Sequence, residues 1–244
     1  VRVKELSEQY GFSILEDACH ALGAAYRGKK VGSCTFSDAA VFSFHPAKII
    51  TTGEGGMVVT NNPGIVEKVC RLRNHGITRN GEGEETGKRP WVYRQIDLGH
   101  NYRMTDIQAA LGISQMRRID SFVARRREIA RAYDLALESL PVVLPWQHPD
   151  SESAFHLYVI RIDPEKTSAG RLAVFNKLRE NGIRVNVHYI PVHTQPYFEN
   201  AGFKNKDFPE SERYYETALT LPMFYGLARG DQDRVVEILK AALS

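Results

Sequence analysis

Cysteine is scarce in this sequence: Cys19, Cys34 and Cys70 are the whole set, and no two form a Cys-x-x-Cys pair. An odd number without that pair argues against a disulfide framework and a thiolate zinc site, and it fits a reducing cytoplasm. Long apolar runs are missing as well. No stretch approaches the roughly 20 residues that a membrane-spanning helix needs, and the first residues do not read as a secretory signal. Charge of one sign is also lacking: the formal net charge is +3, and the basic residues are scattered. That excludes the dense positive face a nucleic-acid partner requires. The one compact basic run, Arg125-Arg126-Arg127, lies within a helical pattern and reads as a solvated helix face. Repeats and low-complexity segments are not seen.

What is present is an alternation of short strands and helices over a length that buries a sizeable core. Residues 1–10 read as a helix stopped by Gly11, residues 12–16 as a buried strand, and residues 39–44 and 57–60 as two more strands. Pro63 opens a helix through residue 73. The polar stretch 74–99, with Trp91 and Tyr93 embedded, reads as a binding or interface loop. Thr105 can cap a helix over 105–119, with Ile107, Leu111, Ile113 and Met116 as its apolar stripe. A longer amphipathic helix follows over 122–140. Then come a strand (157–162), a helix (169–181), a strand (183–188), a loop and two terminal helices. The expected architecture is α/β, with residues 1–125 in a larger domain and 126–244 in a smaller one.

Four blocks carry candidate chemistry. Lys48 stands in Ser43-Phe44-His45-Pro46-Ala47-Lys48, just past an apolar strand and before Thr51-Thr52-Gly53. A lone lysine there is an ordinary surface cation. This one has a hydroxyl at Ser43 and small polar groups with free N–H donors beside it, which suit an anion. Asp17 ends the preceding strand, where open α/β sheets bind ligands, although such a carboxylate also caps turns. A strand-end acid followed by a strand-end lysine is the arrangement that pyridoxal phosphate chemistry needs: an amine for a Schiff base, and a carboxylate for the pyridinium nitrogen. His20 either contacts that ring or is a satisfied structural histidine. Asn101 and Arg103 precede a helix N-terminus, as anion contacts or as a capping arrangement. His188 and His193 lie in an aromatic and polar loop with Tyr197. No Cys or carboxylate stands at ligand spacing to them, so a substrate loop is the better reading than a metal site.

The blocks Asp17-Ala18-Cys19-His20, Ser43-Phe44-His45-Pro46-Ala47-Lys48 with Gly53-Glu54-Gly55-Gly56, and Asn101-Tyr102-Arg103-Met104-Thr105-Asp106-Ile107-Gln108-Ala109-Ala110 together resemble the DegT/StrS-type sugar aminotransferases. The resemblance runs over essentially the whole chain. It implies the fold-type I, aspartate aminotransferase-like architecture and a pyridoxal 5'-phosphate cofactor. It also implies transfer of an amino group from L-glutamate to a 4-keto-6-deoxy nucleotide sugar, such as a UDP-linked N-acetylated hexose in pseudaminic acid synthesis. By the same resemblance Lys48 is the Schiff-base lysine, Asp17 pairs with the pyridine nitrogen, and His20 lies against the ring. Ser43 contacts the phosphate, and Asn101 reaches the phosphate bound by the partner of a homodimer. His188, His193 and Tyr197 face the nucleotide sugar. Family members carry an N-terminal segment that completes the large domain, and this chain is expected to begin after it. Two rivals stand beside this reading. One is a relative that binds without catalysing. The other is a sugar dehydratase, in which histidine replaces the lysine, and Lys48 argues against it.

Overall fold

A computed structural model describes residues 1–79, 89 and 91–244. In chain order the first elements are α1 (Arg2–Tyr10), β1 (Leu15–Asp17), β2 (Ala25–Tyr26), β3 (Lys29–Lys30), β4 (Ala39–Ser43), β5 (Gly56–Thr60), α2 (Pro63–Leu72), β6 (Ile77–Thr78) and β7 (Arg94–Gln95). Then follow α3 (Asp106–Met116), α4 (Ile119–Leu137), β8 (Val142–Val143), β9 (Ser151–Glu152), β10 (Tyr158–Ile162) and α5 (Arg171–Glu180). A 3-10 turn (Val192–Thr194), α6 (Pro196–Asn200), α7 (Pro209–Thr217), β11 (Ala218–Leu221) and α8 (Arg229–Leu243) complete the chain. Two compact units result: Val1–Asp120 with Asp150–Glu152, and Ser121–Pro149 with Ser153–Ser244.

The first unit is organised by a sheet of order β1-β4-β5. β1 runs parallel to β4 and β5 runs antiparallel to it. The central strand β4 is the apolar one, with Ala39, Ala40 and Phe42 buried. The expected buried strand over 12–16 forms instead as β1 at the sheet edge, where Leu15 is 69% exposed and Phe12 is also exposed. Its start is fixed by Asp38, whose Oδ2 accepts the Ile14 N–H at 2.7 Å. α1 ends as its sequence requires: Gly11 takes φ 72° and its N–H reaches the Ser7 carbonyl. α2 begins at Pro63, with Asn62 accepting the Gly64 and Ile65 N–H groups. α3 is closed by a capping box in which Thr105 and Gln108 satisfy each other's N–H. Its apolar stripe does not enter a core: Ile107, Leu111, Ile113 and Met116 are all exposed. Residues 80–88 and 90 of the expected loop over 74–99 lie outside the described residues, while Trp91 and Tyr93 are described and exposed.

The second unit has an antiparallel sheet of order β11-β10-β8. Alternate residues of β10 (Tyr158, Ile160, Ile162) face a core shared with Ile129, Tyr133 and Leu137 of α4, Val174 and Leu178 of α5, and Leu239 of α8. The strand expected over 183–188 is absent. Ile183 and Val185 do enter the core, but the backbone touches β11 only through an Asn186–Thr220 bridge. The Asn186 side chain accepts the Val187 N–H, and the His188 ring turns to Thr220, so the chain leaves the sheet there. The basic run of α4 also departs from expectation. Arg126 is 6% exposed and donates to the carbonyls of Phe155, His156 and Met223. Burial lowers its pKa. Arg125 and Arg127 reach the carbonyls of Leu227 and Ser153, so this run joins segments of the second unit rather than only facing solvent.

Candidate active site

Parallel pairing sets Asp17 opposite Val41, so β1 and β4 deliver their C-terminal residues, Asp17 and Ser43, to one end of the sheet. Past its own strand end, Asp17 turns the chain: its Oδ1 accepts the Cys19 N–H at 3.1 Å, and the Ala18 N–H reaches the Val41 carbonyl. Hydrogen bonds from the Cys19 thiol and N–H hold the Asp17 carboxyl below its ordinary range, and the nearby charges of His20 and Lys48 act the same way. The carboxyl in turn pushes the Cys19 thiol up. His20 and Lys48 are thus each within electrostatic reach of Asp17.

After β4 the chain makes a self-bonded loop. The Phe44 N–H reaches the Gly55 carbonyl, and the Phe44 carbonyl accepts both the Thr52 N–H and the Thr51 hydroxyl. Thr51 also accepts the Gly53 N–H, and the Thr51 N–H binds Gln115 of α3. Gln108, after closing the capping box, donates to the Glu54 carbonyl at 2.9 Å. Gly55 packs so closely that an added Cβ would lie 2.2 Å from Thr52 Oγ1. Within this loop Lys48 is half-buried, followed at once by buried Ile49 and Ile50. Ser43 Oγ accepts the His45 N–H at 3.3 Å, which leaves its own proton to donate elsewhere.

Asn101 is exposed, and its backbone bridges to Asn74. The Arg103 guanidinium donates to Asn74 Oδ1, and the flanking amides of His100 and Tyr102 reach the Leu72 and Arg73 carbonyls. The segment leading to α3 is therefore laid along the end of α2. In the second unit, His188 Nδ1 is 2.8 Å from Thr220 Oγ1, and its ring packs edge-on against Tyr189. His193 is buried, with Nε2 2.8 Å from Glu212 Oε1 and its ring against Phe208. Tyr197 is 78% exposed. Sequence reasoning passed over Cys19, Gln115 and Glu212. Only Cys19 left a signal, its two-residue spacing from Asp17, which is that of an Asx turn. Among the described residues no group of three or more His, Cys, Asp or Glu could hold a metal ion, and no helix is long and apolar enough to cross a membrane.

The chain is 38% identical to an uncharacterized protein of Methanocaldococcus jannaschii over 99% of its own length and 63% of that protein's. Helicobacter pylori PseC, an aminotransferase involved in the biosynthesis of pseudoaminic acid, matches it with a TM-score of 0.87 at 30% identity, over 99% of this chain and 62% of PseC. The PLP-form of Streptococcus pneumoniae Spr1654 matches with a TM-score of 0.85 at 29% identity, over 97% and 59% of the two chains. The chain thus spans about three fifths of the length of these relatives. The architecture is that of the fold-type I transferases. With the match to the family description extending over residues 1–240, the chain belongs to the DegT/DnrJ/EryC1/StrS aminotransferase family.

Proposed function

We propose that the chain is the lysine-bearing part of a pyridoxal phosphate-dependent aminotransferase that moves an amino group from L-glutamate to a 4-keto-6-deoxy nucleotide sugar. The observation that carries this reading is the convergence of Lys48, Asp17 and Ser43 at one end of the β1–β4 sheet. The donor set fits the cofactor. It offers one amine, one carboxylate whose pKa Cys19 lowers, and one hydroxyl whose proton remains available for a phosphate oxygen. Backbone N–H groups of the loop after β4 add to the phosphate side.

Bound pyridoxal phosphate supplies an aldehyde for the lysine and a ring that accepts electrons from the reacting carbon. Lys48 holds the cofactor through Nζ. The same Nζ, when free of the cofactor, would take a proton from the substrate carbon and return one. Asp17 would pair with the ring nitrogen and keep that end positive. His20, exposed and within electrostatic reach of Asp17, would lie against the ring. Ser43 orients the phosphate.

The nucleotide sugar is assigned to the loop that holds His188, His193 and Tyr197. Of these, Tyr197 offers its aromatic face most openly. Asn101 is assigned to the phosphate bound by a second copy of the chain in a homodimer. The exposed apolar residues of α3, with Ile107 85% and Ile113 58% exposed, are the surface expected of a subunit contact. The likeness to PseC, an aminotransferase involved in the biosynthesis of pseudoaminic acid, supports an acceptor sugar of that pathway, which we read as a UDP-linked N-acetylated hexose. The free thiols Cys19, Cys34 and Cys70 support a cytoplasmic setting.

The test is direct. Pyridoxal phosphate is added to the full chain, the visible absorption is recorded, and borohydride reduction is followed by peptide mapping. A cofactor band, with the label fixed on the peptide holding Lys48 and lost in Lys48→Ala, is the expected result. A full chain that gives no band, or a label fixed elsewhere, overturns the reading.

A further inference from the structure

The arc leading into Lys48 is wound around a single residue, His45. Its N–H donates to Ser43 Oγ at 3.3 Å, and its carbonyl accepts the Lys48 N–H at 2.9 Å. Its ring Nδ1 accepts the Ala47 N–H at 3.2 Å. On the far side of the ring, Nε2 lies 4.0 Å from Glu54 Oε1. A ring nitrogen that accepts an N–H carries no proton of its own, so this network assigns the neutral ring's proton to Nε2, on the Glu54 side.

We propose that His45 is a positioning residue for Lys48: its unprotonated Nδ1 fixes the Ala47 amide, and with it the peptide from which the lysine projects. This rests on Lys48 being the cofactor amine. The physical need follows from burial. Ile49 and Ile50, at 8% and 2% exposed, anchor the chain immediately after the lysine. His45, Pro46 and Ala47 before it are all exposed, so packing does not hold the arc. Pro46 fixes its own φ and brings no N–H. The Ala47 amide is therefore the first after His45 that a hydrogen bond can hold, and the histidine ring supplies the acceptor. An asparagine carbonyl oxygen can serve an N–H two residues ahead in the same way, whereas leucine offers side-chain bulk without an acceptor.

The experiment compares His45→Asn and His45→Leu with wild type in the full chain. Two readouts are used: amide hydrogen exchange at Ala47 and Lys48, and the rate at which pyridoxal phosphate and borohydride label Lys48. In His45→Leu the Ala47 and Lys48 amides should exchange about five- to tenfold faster, the scale of one lost hydrogen bond. Labelling should slow by a similar factor, while His45→Asn stays close to wild type in both. Wild-type exchange in the leucine variant, or an asparagine variant as impaired as leucine, overturns the proposal. A wild-type chain that takes no label sinks the cofactor reading, yet the exchange pattern still decides the positioning role. If His45→Leu fails to fold, seen as lost protection of Ala40 and Phe42, the asparagine variant and the ring nitrogen shifts decide. Wild-type Nδ1 must then appear unprotonated, and a protonated Nδ1 overturns the assignment.

Discussion

His193 Nε2 lies 2.8 Å from Glu212 Oε1, joining the 3-10 turn of the second unit to α7 across nineteen residues of sequence. The same carboxylate oxygen accepts the Lys206 N–H, and Phe208 packs on the imidazole. One carboxylate thus ties two points of the segment that contains Tyr197, His193 and Lys206, to α7. The hydrogen bond from His193, then that from Lys206, hold the Glu212 carboxyl below its ordinary range.

The depressed carboxyl has a pH consequence of definite sign. A group whose folded pKa lies below its unfolded value, about 4.3 for glutamate, contributes fully above that unfolded value. Its contribution fades as pH falls through the folded pKa. Glu212→Gln should therefore make the second unit less stable at neutral pH and flatten its acid limb. Urea unfolding of wild type and variant, followed between pH 7 and pH 3, should show two curves converging toward acid. Parallel curves over that range would remove the linkage.

How much of this could be read from the chain depends on how local each determinant is. The placement of Asp17 and Lys48 near one end of the sheet was legible because Asp17 closes β1 and Lys48 follows β4, and parallel strands present their C-terminal ends on one side. α2 and α3 were readable because Asn62, Pro63 and Thr105 are local caps. β11 went unread because Ala218–Leu221 continues directly from α7, with neither Gly nor Pro to mark the change. The pairs β2–β3 and β2–β9 are two residues long, too short for any periodicity. The burial of Arg126 was invisible for another reason. A run of three arginines has no sequence sign of the carbonyls it meets, at Phe155, His156 and Met223.

The state of Asp17 leads to a second prediction. Cys19 lowers the pKa of this carboxyl, and an asparagine can still accept the Cys19 N–H through its own oxygen. Asp17→Asn should therefore leave the turn and the fold intact while removing the negative charge. Amino transfer should fall by about 100-fold or more, the scale of losing one preorganised electrostatic partner. Borohydride should still fix the cofactor on Lys48. Steady-state turnover and the circular dichroism spectrum, measured on the same preparation, separate the two effects. Turnover within a factor of a few of wild type would show that this carboxylate does not support the ring.

A third prediction concerns the strip that carries Asn101. Gly76 adopts φ 70°, and a Cβ placed there would meet the Asp97 carbonyl oxygen at 1.8 Å. The neighbour is backbone, so no side-chain rotation relieves the contact. The Gly76 N–H is itself bonded to the Arg71 carbonyl, and its carbonyl accepts the Ile96 and Asp97 N–H groups. The same crossing is closed from the side by Arg71, whose Nε reaches Asp97 Oδ2 at 2.7 Å. Gly76→Ala must push residues 96–97 away from the end of α2, at a cost of about 1–3 kcal/mol, the range of overpacked sites. The shift passes to the adjoining His75–His100 amide bond and the Asn74–Asn101 bridge. Thermal unfolding should show the lost stability. If Asn101 serves the cofactor phosphate of a second copy, the affinity for pyridoxal phosphate should weaken along with it. A variant that loses stability but retains full cofactor affinity would separate Asn101 from the phosphate and leave this crossing with a purely structural role.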